Sequence, residues 1–176
     1  GLDSALAYKR HFPAINWLTS YSLYLDNVAG WFGKNVSEDW IPDRQKLMSI
    51  LQDEAKLDEI VKMVGMDALS SRDRLKMEAA RSIREDFLHQ NSFDEIDTYT
   101  SLEKQLDMMK LVIAYYEKCD EALDKGSNIQ ALIKLPVREK IGRYKYVHED
   151  NIKPEFDAVM NELDKEIADT LGKEDF

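Results

Sequence analysis

The 176-residue chain has one cysteine, Cys119. That excludes an internal disulfide and a Cys-x-x-Cys zinc site, and it suggests a reducing compartment. Glycine and proline are scarce, at seven and four residues, which is about half the usual frequency. An all-β sandwich or barrel needs many more turns than that. No apolar run approaches the roughly 20 residues of a membrane span. The longest uncharged stretch, 11–25, is rich in Ser, Thr, Asn and Tyr. The first ten residues carry Asp3, Lys9 and Arg10 without the apolar segment of a signal peptide. Basic residues number 24 against 34 acidic ones, for a net charge of −10. This balance argues against a general nucleic-acid binder. Nor is there a GxxxxGK[ST], GxGxxG, GxSxG or HExxH motif.

What is present is a core-former. Hydrophobic residues make up 44% of the chain, and a domain of this size buries roughly 70% of its unfolded surface. The chain opens Gly1-Leu2-Asp3 without a methionine, which suggests a piece of something longer.

Residues 1–36 differ from the rest. They hold Trp17 and Trp31, with Phe12, Tyr21, Tyr24 and Phe32, and only two acids, Asp3 and Asp26. Pro13 makes 12–17 a short extended piece. A helix is expected from Trp17 to Phe32. Ser37 is then a candidate N-cap for a helix with Leu47, Ile50, Leu51, Leu57, Ile60, Val61 and Val64 at helical spacing, stopped by Gly65. Ser70, with Asp73 three residues on, caps a second helix whose stripe is Leu75, Ala79, Ile83 and Phe87, broken at Asn91-Ser92. Ser92 and Glu95 offer a capping box, and Thr100 with Glu103 offers another. The latter opens a helix with Leu102, Leu106, Met109, Ile113, Tyr116 and Leu123 on one stripe, ended by Gly126. Two short helices, near 128–134 and 137–146, flank Pro136. A last one presents Phe156, Val159, Met160, Leu163, Ile167 and Leu171. The fold class is therefore all-α: a helical bundle over 37–176 with an N-terminal appendage, 1–36, that looks incomplete.

The residues alone give little chemistry. Asp86-x-x-His89 has the spacing of a di-iron helix motif, but such sites need it twice with two further Glu. It reads as a polar helix edge, and no metal is expected. Lys134, Arg138, Lys140, Arg143 and Lys145 form a basic cluster, either a solvated helix face or a contact for phosphate or an acidic partner. Cys119 reads as packing rather than a reactive thiol. Phe93, just after the helix break, reads as core.

Three stretches resemble one family. Tyr8-Lys9-Arg10-His11-Phe12-Pro13-Ala14-Ile15-Asn16-Trp17-Leu18-Thr19-Ser20-Tyr21-Ser22 resembles the catalytic A subunit of archaeal-type and vacuolar-type rotary ATPases. Gly65-Met66-Asp67-Ala68-Leu69-Ser70-Ser71-Arg72-Asp73 is similar to that family's version of the DELSEED loop. The run from Ala80-Arg81 to Asp97-Thr98-Tyr99, including Phe87-Leu88-His89-Gln90-Asn91-Ser92-Phe93-Asp94-Glu95, again resembles the A subunit. The likeness continues through Glu103-Lys104-Gln105 and Leu135-Pro136-Val137-Arg138-Glu139 and so covers about residues 1–145. Beyond that it rests on position and helical character.

The resemblance implies a C-terminal helical domain with 1–36 as the end of a P-loop nucleotide domain. It implies ATP or ADP with Mg²⁺ in the complete subunit and no cofactor on this piece alone, since the phosphate loop and catalytic glutamate are absent. Phe12 and Phe93 would line the adenine pocket, with Gln90 and Asn91 at its rim. Met66, Asp67, Leu69, Ser70, Ser71, Arg72 and Asp73 would contact the central stalk. That loop keeps Asp, Leu, Ser and Asp at positions one, three, four and seven of DELSEED but has Ala68, Ser71 and Arg72 where the motif has Glu, so apolar contact through Met66 and Leu69 is expected. B subunits in an alternating hexamer would be the neighbours, on the cytoplasmic side of the membrane without inserting into it. The alternative is a stand-alone helical protein-interaction module.

Overall fold

The computed structural model describes residues 1–171. At the start, Asp3 caps a short helix, α1 (Ser4–Tyr8), through the amides of Ala5 and Leu6. A single bridge between Leu2 and Ile15 closes this segment into a loop. The helix expected from Trp17 begins later, as α2 (Leu25–Asn35). Local side-chain bonds explain the delay: Asn16 Oδ1 accepts from the amides of Leu18 and Thr19, and Ser22 Oγ from that of Tyr24. Such bonds offer the backbone an alternative to the helix.

Helix α3 (Trp40–Val64) also starts later than its Ser37 cap predicts. Ser37 Oγ instead accepts from Asp39 N, 3.1 Å away, in a preceding turn. Pro42 supplies the reason. A helix capped at Ser37 would place Pro42 where an amide donor is required, whereas a start at Trp40 leaves it in the first turn, where none is. Leu47, Ile50 and Leu51 are buried as the stripe requires, but Ile60 is 41% and Val64 63% exposed. Leu57 and Val61 on the same stripe are half-buried, so cover thins along the C-terminal half of α3. Gly65, at φ 87°, ends it, a conformation that a side chain disfavours.

Helix α4 (Ser71–Ser82) is capped by Ser70, which accepts from Asp73 N as expected. It then widens into a π-helical turn, Ile83–Leu88. Leu75, Ala79 and Ile83 are buried. The next short helix, α5 (Glu95–Thr98), is capped by Asp94 rather than Ser92. Asp94 reaches the amides of both Ile96 and Asp97 at 3.0 Å.

Helix α6 (Leu102–Asp124) begins one residue later than the Thr100 cap predicts, with Ser101 accepting from Lys104 N. Thr100 donates instead to the Asp97 carbonyl. The expected single stripe is too narrow for α6. Met108, Leu111, Val112, Ala114, Tyr115 and Cys119 are buried as well. Around its middle, residues 106–115, α6 is buried on most sides, and α3, α4 and α9 pack about it. Gly126, at φ 97°, follows its end.

Helices α7 (Ile129–Ile133) and α8 (Val137–Arg143) lie on either side of Pro136, and a 3₁₀ turn, Tyr144–Tyr146, extends α8. Helix α9 (Ile152–Leu171) buries Val159, Leu163 and Ile167, while Leu171 is largely outside. Each fully buried Leu or Val contributes roughly 1.5–3 kcal/mol. The described residues form no strand, and no helix among them is long and apolar enough to cross a membrane. The fold is the all-α bundle that the periodicity predicts.

Candidate functional site

The π-helical turn at the end of α4 shapes the first surface of interest. Its closing bond runs from His89 N to the Arg84 carbonyl, 2.9 Å, across five residues. One extra residue in a helical turn re-aims the chain beyond it, and such bulges gather at functional sites. Here residues 89–94 leave the helix and cross the surface to α5.

The N-terminal segment docks on this exit. His11 Nε2 lies 2.8 Å from the same Arg84 carbonyl, so it carries the proton and donates. The His11 Nδ1 atom is buried without a partner. The His11 ring contacts Trp17 at 5.5 Å and His89 at 5.3 Å between centroids. Two histidines 78 positions apart in sequence thus meet. Phe12 follows directly: its amide donates to His89 Nδ1 (3.3 Å) and its carbonyl accepts from Gln90 N (2.8 Å).

Phe12, Gln90, Asn91 and Phe93 are therefore gathered along one stretch of surface. Gln90 Nε2 donates to the Asp97 carbonyl at 2.7 Å, and Asn91 N to the Asp97 carboxylate at 2.6 Å. Asn91 Oδ1 in turn accepts from Phe93 N. Beside them a cleft of about 200 Å³ is lined by Pro13, Gln90, Asp97 and Thr100 among others. Phe93 is 98% exposed and Phe12 49%. Phe93 is thus not the core residue that its place after a helix break suggests: the Asx turn at Asn91 and the Asp94 cap point it outward. Asp97, 2% exposed, is the residue that sequence reasoning missed. Only its distance from the break, spanning a short helix, could have signalled it.

The second surface is the corner between α3 and α4. Gly65 stops α3, a 3₁₀ turn covers Met66–Ala68, and Ser70 opens α4. Met66, Asp67, Ser70, Ser71 and Arg72 are exposed, with Leu69 and Asp73 half-buried. Arg72 is turned back on α6, with Nε 3.0 Å from Asp120 and a second contact to Asp124. The most exposed apolar residues at this end are Met63 (76%) and Val64 (63%), on the last turn of α3. The sequence stripe places Val64 inside; the structure turns it out.

Other candidates resolve into structure. The basic cluster is not one face. Arg138 pairs with Glu78 and lies 4.8 Å above the Tyr115 ring, Lys140 pairs with Glu162, and Lys145 is buried. Asp86 accepts from Ser82 and is packed against Gly142, and its burial holds the carboxyl above the usual range. His89 faces His11 instead. Cys119 is fully buried, and burial pushes its thiol up to about 12.

The helical domain itself has a family counterpart. The model for the C-terminal domain of V and A type ATP synthase matches residues 29–133, and the chain belongs to this family. Among its relatives, the V-type ATP synthase alpha chain of Acetivibrio thermocellus is 56% identical over 174 residues, covering 99% of this chain and 30% of that protein. The V-type ATP synthase alpha chains of Clostridium botulinum (strain Okra) and Clostridioides difficile (strain 630) are each 54% identical over 173 residues, covering 98% of this chain and 29% of theirs. The chain thus spans about 30% of the length of the curated relatives it matches.

Proposed function

We propose that the chain is the C-terminal helical domain of the catalytic subunit of a rotary ATPase, with residues 1–36 the end of its nucleotide domain. In this reading Phe12 and Phe93 hold the adenine base between them, with Gln90 and Asn91 at the rim. The observation that carries it is the tie between Phe12 and Gln90, 2.8 Å, beside a phenylalanine that is 98% exposed. An aromatic ring with no core role and its backbone fixed on both sides is a ready stacking surface. The residues present fit a base and not a triphosphate: no phosphate loop occurs in the sequence. The complete subunit supplies that loop, and Mg²⁺ there neutralises the phosphate charge.

Magnitudes separate the domain from the subunit. Stacking is worth about 1–3 kcal/mol per base contact. Two such contacts, about 2–6 kcal/mol together, fall short of the roughly 4–15 kcal/mol cost of association plus the net of about 4 kcal/mol that millimolar binding requires. A net charge of −10 adds repulsion toward a polyphosphate. The isolated chain therefore binds ATP no tighter than about 1 mM and hydrolyses none. Phe93→Ala in the complete subunit should weaken ATP binding by about 1–3 kcal/mol. Calorimetry is the test: micromolar ATP binding by this chain alone, or unchanged affinity in the Phe93→Ala subunit, overturns the reading.

The corner of Met66, Asp67, Leu69, Ser70, Ser71, Arg72 and Asp73 contacts the central stalk and passes nucleotide state to it. Its exposure and its neighbours Met63 and Val64 support an apolar contact, while the return of Arg72 to Asp120 and Asp124 takes it out of the charge balance. The domain sits among B subunits in an alternating hexamer on the cytoplasmic side of the membrane. Replacing residues 67–73 by a Gly/Ser loop should uncouple rotation from hydrolysis. Full coupling in that variant removes the role.

A further inference from the structure

Lys145 is 3% exposed, yet it makes no ion pair among the described residues. Its Nζ donates to two backbone carbonyls, those of Glu85 at 3.1 Å and His89 at 2.6 Å. These carbonyls lie at the C-terminal end of the π-helical turn, where backbone acceptors lack helical donors and a cation is favoured. A buried ammonium without a carboxylate partner carries a desolvation cost that hydrogen bonds to two neutral carbonyls offset only in part. Stability alone therefore does not explain a lysine here.

The target does. His89 and Gln90 are the two residues that hold the Phe12 backbone. Asp97 grips Gln90 and Asn91 from the other side. The exit of the turn is thus clamped between a buried cation and a buried carboxylate. The lysine is itself fixed from the central helix. Lys104, fully buried, donates to the carbonyls of Lys145 (2.6 Å) and Val147 (2.7 Å). Gly142 adds a close approach, since a Cβ there would meet Asp86 Oδ1 at 2.8 Å. The 142–147 segment is seated against the turn by side chains and backbone together.

We propose that Lys145 is a positioning residue for the nucleotide base: by holding the Glu85 and His89 carbonyls it sets the path of residues 89–93, and so the placement of Phe93 and Phe12. This rests on the reading of those two phenylalanines as the base site. Lys145 itself touches no nucleotide.

The test is ATP binding by the full-length subunit in the assembled complex. Lys145→Met should weaken ATP about tenfold, with KM raised and kcat changed less than about twofold, because a displaced contact loses binding without touching the phosphate chemistry. Leu163→Ala, in the core of α9, lowers thermal stability at least as much and should leave ATP affinity within about twofold. Lys145→Arg keeps donors for both carbonyls and should restore most of the affinity. In this chain, Lys145→Met should speed amide exchange at Gln90 and Asn91 before it does so in α6. Unchanged affinity in Lys145→Met, or an equal loss in Leu163→Ala, overturns the proposal. Should Lys145→Met fail to assemble, Lys145→Gln is read against the same two limits. Phe93→Ala in the same assay separates the failures: if it also has no effect, the base site itself is wrong, and if it weakens ATP while Lys145→Met does not, only the positioning role falls.

Discussion

Residues 1–36 hold no fully buried aromatic side chain, whereas the helices after them bury two completely. In the bundle, Tyr115 and Tyr144 are fully buried, and each hydroxyl has a partner: the Leu132 carbonyl for Tyr115, and Asp107 and the Ile152 carbonyl for Tyr144. In the first 36 residues no side chain is fully buried, and Tyr8, Tyr21, Tyr24 and Trp31 stand in solvent. That segment is held by other means. Its anchors are the hydrogen bonds of His11 and Phe12 to the 84–90 turn, Trp17 partly buried against the core, and Phe32 stacked on Trp40 at 4.9 Å. Extensive apolar burial gives cooperative stability, whereas a few scattered anchors give local stability that opens separately. The proposed base site thus lies at the seam between the two regimes.

The sharpest way to break the comparison is to remove equal side chains from each region. Leu163→Ala, at 0% exposure, should cost about 2–5 kcal/mol in denaturant unfolding. Leu23→Ala, at 82% exposure, should stay within about 0.5 kcal/mol. Equal losses would mean that the N-terminal segment is part of the cooperative core.

Next in size is Gly142→Ala. Alanine normally gains about 0.5–1 kcal/mol over glycine in a helix. Here the new Cβ meets Asp86, whose other oxygen is held by Ser82. We expect a net loss of about 1–2 kcal/mol by thermal melting, recovered in part when Asp86→Ala is added. A stabilised single variant would show that Asp86 swings away freely.

A smaller effect concerns the seam itself. His11→Ala removes a hydrogen bond and two ring contacts. Local opening of 11–20 should become easier by about 1 kcal/mol, read as faster amide exchange there with α6 unchanged. Equal acceleration in both would merge the two regions.

The smallest is a pH effect. Burial chiefly holds His89 below its ordinary value of 6.5, with Lys145 and His11 adding to it. The folded state therefore binds fewer protons than the unfolded one just below pH 6.5. The His89 contribution is complete above that pH and is lost as pH falls toward the lower folded value. Protonation also removes the Nδ1 acceptor used by Phe12 N. Denaturation midpoints should fall on acidification, and His89→Gln should flatten that slope. A parallel slope in the variant would assign it to other groups.

Much of the bundle was legible in the sequence because its signals are local. Gly65, Ser70, Gly126 and Pro136 mark boundaries by backbone chemistry that needs no tertiary context, and the stripes of α4 and α9 follow from a 3.6-residue repeat. The misplaced starts have local causes too, in Asn16, Pro42 and Asp94, but these compete with equally good caps a few residues away, and only the packed chain chooses. The residues alone established an acidic all-α domain, some of its helix ends, and through resemblance its family. The tertiary structure alone decided that His11 meets His89, that Phe12 is held beside Gln90, that Val64 faces out and that a lysine from a basic-looking run is buried under the turn. The reason is that these are contacts between residues dozens of positions apart, whose partners are set by how helices pack and not by any spacing along the chain.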